Sequence, residues 1–185
     1  PFIAVVANLS RALLGESAVA MRFVSALAAA AIAYVAISVA RRLGGRTYAQ
    51  LLTAACVLSA PLYLRAGNLH QPTVFDQLWW TLGLYTLVRL QESGDRRWWL
   101  VLGAVGGCGL LTKFSIAFFG FSVLVAIIVT PERRILATRW PWLTLLIALA
   151  LGSPSLVGQV RLAFPVVGQL NDLQAVQLAR VSPLD

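Results

Sequence analysis

The chain has 185 residues, of which 59% are hydrophobic and only 12% charged, and its formal net charge is +8. A soluble domain devotes about 25% of its residues to charge, so too little is present here to cover a water-facing surface, and a polytopic membrane protein remains. The basicity (sequence pI ≈ 10.8) does not point to nucleic acid, because the arginines fall in short loops between apolar runs, as on a cytoplasmic membrane face.

Residues 1–14 (PFIAVVANLSRALL) are apolar but shorter than the roughly 20 residues a crossing needs. With Arg11 among them, residues 1–15 are expected to form a helix lying in the outer interface, broken by Gly15-Glu16-Ser17. A first span is expected at about 19–40, with Arg22 one turn inside its start. Arg41, Arg42 and Arg46 follow around a Gly44-Gly45 turn. A second span covers about 48–64 and closes near Pro61. A polar loop at 65–73 leads to a third span at about 74–90, which runs into the loop QESGDRR at 91–97. From Trp98 to Val129 the one charge is Lys113. The loop PERRILATR at 131–139 precedes a span from Trp140 to about Val160. Residues 161–185 are polar enough to leave the membrane, and Val166, Leu170, Leu173 and Val176 have the spacing of a second interfacial helix. Cys56 and Cys108 lie inside apolar runs and read as packing residues, not as a disulfide.

Topology follows from the arginines. Loops 41–46, 91–97 and 131–139 each hold two or three of them and are placed in the cytoplasm. An even number of crossings must then separate 97 from 131, so 98–112 and 114–130 form a hairpin of two short spans with Lys113 at its outer tip. One long helix would break the parity and bury Lys113 at a cost of about 3 kcal/mol or more. The expected fold is all-α, a polytopic transmembrane helical bundle of about six spans. It forms one transmembrane domain over 1–185: an outer interfacial helix at 1–15, six spans within 19–160, and an outer polar segment with an interfacial helix at 161–185.

The same parity puts Arg22, Arg65, His70, Asp76, Lys113 and Arg161 on the outer face, with the N-termini of the first, third and fifth spans. Cations beside free helix N–H groups suit a phosphate. Plainer readings stand beside this one. Thr73-Val-Phe-Asp76 fits a capping box with Thr73 as N-cap. Lys113 at a hairpin tip can simply snorkel, and His70, without nearby Cys or acids, is a solvated loop residue and no metal site. Arg22 and Arg161 suit headgroup anchors. Gly103-Ala-Val-Gly-Gly107 fits close helix packing. Trp98-Trp99 and Trp140-Pro-Trp142 read as interface belts, whereas Trp79-Trp80 lies a turn deeper and can face the pocket.

In the order of its features the chain resembles the polytopic glycosyltransferases of family 39, the protein mannosyltransferase and aminoarabinose transferase superfamily with the GT-C fold. The matching pieces are Leu14-Gly15-Glu16-Ser17 before Ala20-Met21-Arg22-Phe23-Val24-Ser25-Ala26-Leu27, the Arg41-Arg42-Leu43-Gly44-Gly45 loop, Phe75-Asp76-Gln77-Leu78-Trp79-Trp80, and Gly109-Leu110-Leu111-Thr112-Lys113-Phe114-Ser115. The resemblance covers nearly the whole chain. It implies transfer of a sugar from a polyprenyl-phosphate carrier to an unspecified acceptor on the outer side of the membrane, here a bacterial plasma membrane, with no nucleic acid involved. It also implies inverting attack, with the principal base an acid in an outer loop expected before Pro1. A fragment lacking that acid and the span before it is expected to be inactive alone. Asp76 takes the place of a second, supporting acid, and Lys113 with Arg22, Arg65, His70 and Gln71 forms the substrate and phosphate-binding set. No cofactor is expected, and a divalent metal is left open.

Two other classes compete. A transporter or lipid-binding protein without catalytic activity would carry ionisable residues or broken helices near mid-bilayer. Here, apart from Arg89 near an inner end, charges gather at span ends. A purely structural membrane subunit would tolerate Asp76→Asn and Lys113→Ala.

Overall fold

The computed structural model describes residues 2–165, 167–168 and 171–172. Among these the chain is helical throughout: α1 (Phe2–Leu14), α2 (Ala18–Arg42), α3 (Thr47–Ser59), α4 (Pro61–Asn68), α5 (Pro72–Ser93), α6 (Trp98–Thr112), α7 (Ile116–Val129), a 3₁₀ segment (Pro131–Ala137) and α8 (Arg139–Arg161). The second interfacial helix expected on Val166, Leu170, Leu173 and Val176 lies outside the described residues. The chain divides into two compact units, residues 1–152 and 153–185.

In the first unit, turn chemistry sets the helix ends. Ser17 caps α2 by accepting from the Ala20 N–H at 3.0 Å, while Arg41 and Arg42 in its last turn complement the negative end of its dipole. Pro61 and Pro72 each occupy the first helical position of α4 and α5. The residues before them, Ala60 and Gln71, are extended (ψ 122° and 155°), as a following proline demands. Gly94 ends α5 in the left-handed conformation, φ 63°.

Two expectations change here. The polar loop at 65–73 shrinks to the few residues around Leu69–Gln71, because Pro61 starts a new helix, bent 59° from α3, that runs through Arg65 to Asn68. The Thr73–Asp76 capping box does not form. Pro72, with no N–H to give, already sits at the first helical position, which puts Thr73 inside the helix and Asp76 in its second turn. The expected break at Lys113, by contrast, is present. α6 ends at Thr112, Lys113 is extended (φ −158°, ψ 142°), and α7 begins at Ile116.

α5 is the central element. Its start, with Val74 and Phe75, joins Ala28 and Ile32 of α2 and Ala66 of α4 in one core, onto which Phe2, Ile3 and Val6 of α1 pack. Its middle, with Trp80 and Leu87, covers a second core of Trp99, Leu102, Ile116 and Phe119 from α6 and α7. Trp99 is therefore 5% exposed and belongs to this core, not to an interface belt. Trp142 does remain exposed.

Glycines set the α6–α8 approach. A Cβ on Gly103 would lie 2.8 Å from the Thr144 carbonyl oxygen, and one on Gly107 2.6 Å from Leu151 Cβ. Thr144 Oγ1 also donates to the Trp99 carbonyl at 2.7 Å.

Large apolar side chains stay exposed on the outer helices, among them Phe23 and Tyr34 on α2, Leu51 on α3, Phe118 and Phe121 on α7, and Leu146 on α8. Water would not tolerate that surface, and a bilayer favours it. By length and apolarity, Arg22–Arg42 of α2 and Arg139–Arg161 of α8 can each cross a membrane. Two bent pairs, α3 with α4 and α7 with the 3₁₀ segment (110°), reach the length together. α6, at 15 residues, spans about 22 Å against a hydrocarbon core of about 30 Å. The molecule is an all-α membrane bundle.

In the second unit, Pro154 lies within α8, where it removes one backbone donor. The helix then closes through Ala163 and Phe164, both left-handed (φ 53° and 57°), with the Phe164 N–H reaching back to the Gln159 carbonyl at 2.7 Å.

Candidate functional site

The expected site residues lie at the α1–α2 and α4–α5 turns and the α6–α7 tip. Asp76, in the second turn of α5, is 9% exposed. A carboxyl group this deep needs hydrogen bonds. Ser115, the residue before α7, supplies one: its Oγ donates to Asp76 Oδ1 at 2.5 Å. One turn along the same face of α5, the Trp79 indole N–H donates to Thr112 Oγ1 at 2.9 Å, and that hydroxyl donates to the Cys108 carbonyl at 2.9 Å. Phe2 of α1 meets both Phe75 and Trp79 edge-on, with ring centroids 5.5 and 5.4 Å apart. The tip between Thr112 and Ser115 is thus fastened to the start of α5, and Lys113 stands exposed within it.

His70 is not a solvated loop residue. It is half-buried, its Nδ1 is 3.4 Å from Oγ of the fully buried Ser25, and its ring lies edge-on to Phe75 at 6.0 Å. Its Nε2 is buried and has no hydrogen-bond partner. Arg22, Arg65 and Gln71 are exposed. The structure therefore joins Asp76 to Ser115 and Trp79 to Thr112, on either side of Lys113, and His70 to α2. It records no contact that ties Arg22, Arg65 or Gln71 into that group.

Ser115, Thr112 and Ser25 were not expected to be partners. The available signal was a hydroxyl residue on each side of the Lys113 tip and an acid and an indole three residues apart on α5, a spacing that shares a helix face. Trp79 facing the site agrees with its greater depth. Trp80 instead packs edge-on against Phe119 at 5.4 Å.

No side chain caps α5 or α7, since the Ser115 hydroxyl that could cap α7 is turned to Asp76. Uncapped helix starts beside a free ammonium can take an anion. Among the described residues no three His, Cys, Asp or Glu side chains gather as a metal site would require. An apolar cavity of about 470 Å³ lies between α6, α7 and the first turns of α8, and its wall includes Ile116, the residue after Ser115.

No curated protein and no solved structure matches the chain significantly. The family model for dolichyl-phosphate-mannose-protein mannosyltransferases does match, over residues 1–157, which takes in every residue of the site just described. The chain belongs to that family and is a membrane glycosyltransferase of the mannosyltransferase type.

Proposed function

We propose that the protein transfers a sugar from a polyprenyl-phosphate-linked donor to an acceptor hydroxyl at the outer membrane face, with inversion. In that reaction the acceptor oxygen attacks the anomeric carbon, and the bond from that carbon to the phosphate oxygen breaks. The phosphate leaves with the electron pair, and the hydroxyl proton passes to a carboxylate base. Negative charge grows on the leaving phosphate, so a fixed cation lowers the barrier. Lys113 is that cation, with Arg22 and Arg65 as further phosphate contacts and His70 and Gln71 as polar neighbours. Asp76 is a supporting acid. It is nearly covered and already accepts from Ser115, which suits organising the site better than taking a proton from an incoming acceptor.

The observation that carries this reading is the Ser115–Asp76 hydrogen bond, because it brings the Lys113 tip to the α5 carboxylate. The apolar cavity beside Ile116 supports a donor with a lipid tail. The test is sugar transfer from a labelled polyprenyl-phosphate donor in membranes carrying the full-length parent protein, with Asp76→Asn and Lys113→Ala variants that insert normally. Loss in both agrees with the reading, and full activity in both overturns it.

One observation favours transport as a second reading: α3 and α4 are a helix broken by 59° at Ala60, as in many transport sites. The break carries no charged side chain of its own, and the nearest in sequence, Arg65, is exposed. Solute flux without sugar transfer in reconstituted vesicles would decide for transport.

A further inference from the structure

We propose that Thr112 is a positioning residue which, through Trp79, fixes Lys113 against the phosphate of the donor; this rests on the phosphate-binding reading of Lys113 given above. Lys113 lies in the four-residue stretch from Thr112 to Ser115, and both ends of that stretch are tied to α5. Ser115 bonds Asp76 at 2.5 Å, and Thr112 bonds Trp79 at 2.9 Å. The two anchors on α5 are three residues apart and so share one helix face.

The polarity of the Trp79 contact is determined. A Thr hydroxyl has one proton and the indole nitrogen is a donor only. The hydroxyl proton goes to the Cys108 carbonyl at 2.9 Å, which leaves an oxygen lone pair for the Trp79 N–H. Phe2 holds the indole edge-on at 5.4 Å. The backbone of Lys113 is fixed as well: it is extended, and its N–H donates to the Gly109 carbonyl at 2.8 Å.

The consequence concerns the ammonium. A lysine on a loose tip could reach any nearby headgroup or water, and binding would have to overcome the freedom of the tip as well as of the side chain. With both flanks fastened, only the side chain remains to be ordered. The latch thus acts on Lys113 without touching the donor.

Binding of a polyprenyl monophosphate to purified full chain in lipid nanodiscs tests this, with thermal melting recorded for each variant. Thr112→Val removes the hydroxyl at nearly constant volume, and Trp79→Phe removes the same bond from the other side. Each is expected to weaken binding about five-fold, the size of one neutral hydrogen bond, while Thr112→Ser binds like wild type. Lys113→Ala is expected to weaken binding more, and Thr112→Val added to it should cost nothing further. The latch is overturned if Thr112→Val and Trp79→Phe bind like wild type while Lys113→Ala is weak, or if the Thr112→Val loss persists in full beside Lys113→Ala. Wild-type binding by Lys113→Ala would overturn the phosphate reading and the latch with it. Should Thr112→Val fail to fold, Trp79→Phe alone decides.

Discussion

Ser115 Oγ donates to Asp76 Oδ1 at 2.5 Å, joining the start of α7 to the second turn of α5 across 39 residues of sequence. Asp76 is 9% exposed, so the bond replaces water that a carboxylate would otherwise hold. Hydrogen bonds to charged groups contribute about 1.5–3 kcal/mol, and a buried acceptor left bare costs a similar amount.

The first prediction concerns this pair. Ser115→Ala should destabilise the folded protein by about 1.5–3 kcal/mol with Asp76 present, but by only about 1 kcal/mol in an Asp76→Asn background, where the lost partner is neutral. Equilibrium unfolding of the four proteins in mixed micelles measures the coupling. Additive losses, within about 0.5 kcal/mol, would mean that the two side chains do not meet.

A second prediction separates two adjacent glycines of α6. A methyl on Gly107 would come within 2.6 Å of Leu151 Cβ and 3.1 Å of the Ala148 carbonyl oxygen, whereas one on Gly106 would meet Ala148 Cβ at an ordinary 3.5 Å. Gly107→Ala should therefore force α8 away and cost about 1–3 kcal/mol. Gly106→Ala should be neutral or stabilising by up to about 1 kcal/mol, through helix propensity. Thermal melts of both variants in detergent check it, and equal shifts would contradict the packing.

Gly103 and Gly107 were readable from sequence because small residues spaced along an apolar helix have few other uses. The helix break at Lys113 was readable because a lysine in the middle of a long apolar run is costly to bury in one continuous span. The Thr73–Asp76 capping box failed for a local reason: Pro72 takes the first helical position and shifts the register that the motif assumed. Trp99 was misplaced because a tryptophan beside an arginine loop has the same sequence signature whether it lies in a belt or under a neighbouring helix. Ser115–Asp76 and Ser25–His70 could not be read, since their partners are 39 and 45 residues apart and no periodicity links them.

A third prediction falls at the opposite ends of α2 and α5. The Glu92 carboxylate accepts from Arg42 at 2.7 Å and lies 3.8 Å from Arg89. Arg42 lies over the Tyr85 ring at 5.5 Å and Arg89 over the Trp98 ring at 4.9 Å. Glu92→Gln keeps a hydrogen-bond acceptor but leaves two guanidinium groups without their shared anion. Because the pairs are partly exposed, the melting temperature should fall at low ionic strength and the deficit should narrow as salt is added. A deficit independent of salt would mean that the effect is one of packing and not of charge.

The last prediction concerns which ends of the bundle share a side of the membrane. On the proposed topology the positive-inside rule puts Arg96 and Arg133 in the cytoplasm, and α6 would then carry Lys113 to the outer side. Cysteines introduced singly as Lys113→Cys, Asn68→Cys, Arg96→Cys and Arg133→Cys, with Cys56 and Cys108 replaced by alanine, report this directly. All four parent side chains are exposed, so a reagent on the correct side can reach them. A membrane-impermeant maleimide added to intact cells should label the first two, and should label the last two only after permeabilisation. Lys113→Cys should react more slowly than Asn68→Cys, since α6 reaches about 22 Å into a core of about 30 Å and leaves its tip recessed. Labelling of both Lys113→Cys and Arg96→Cys only after permeabilisation would mean that α6 does not carry the chain across. The tip would then lie in the cytoplasm, and the outer-face placement of the site would be wrong.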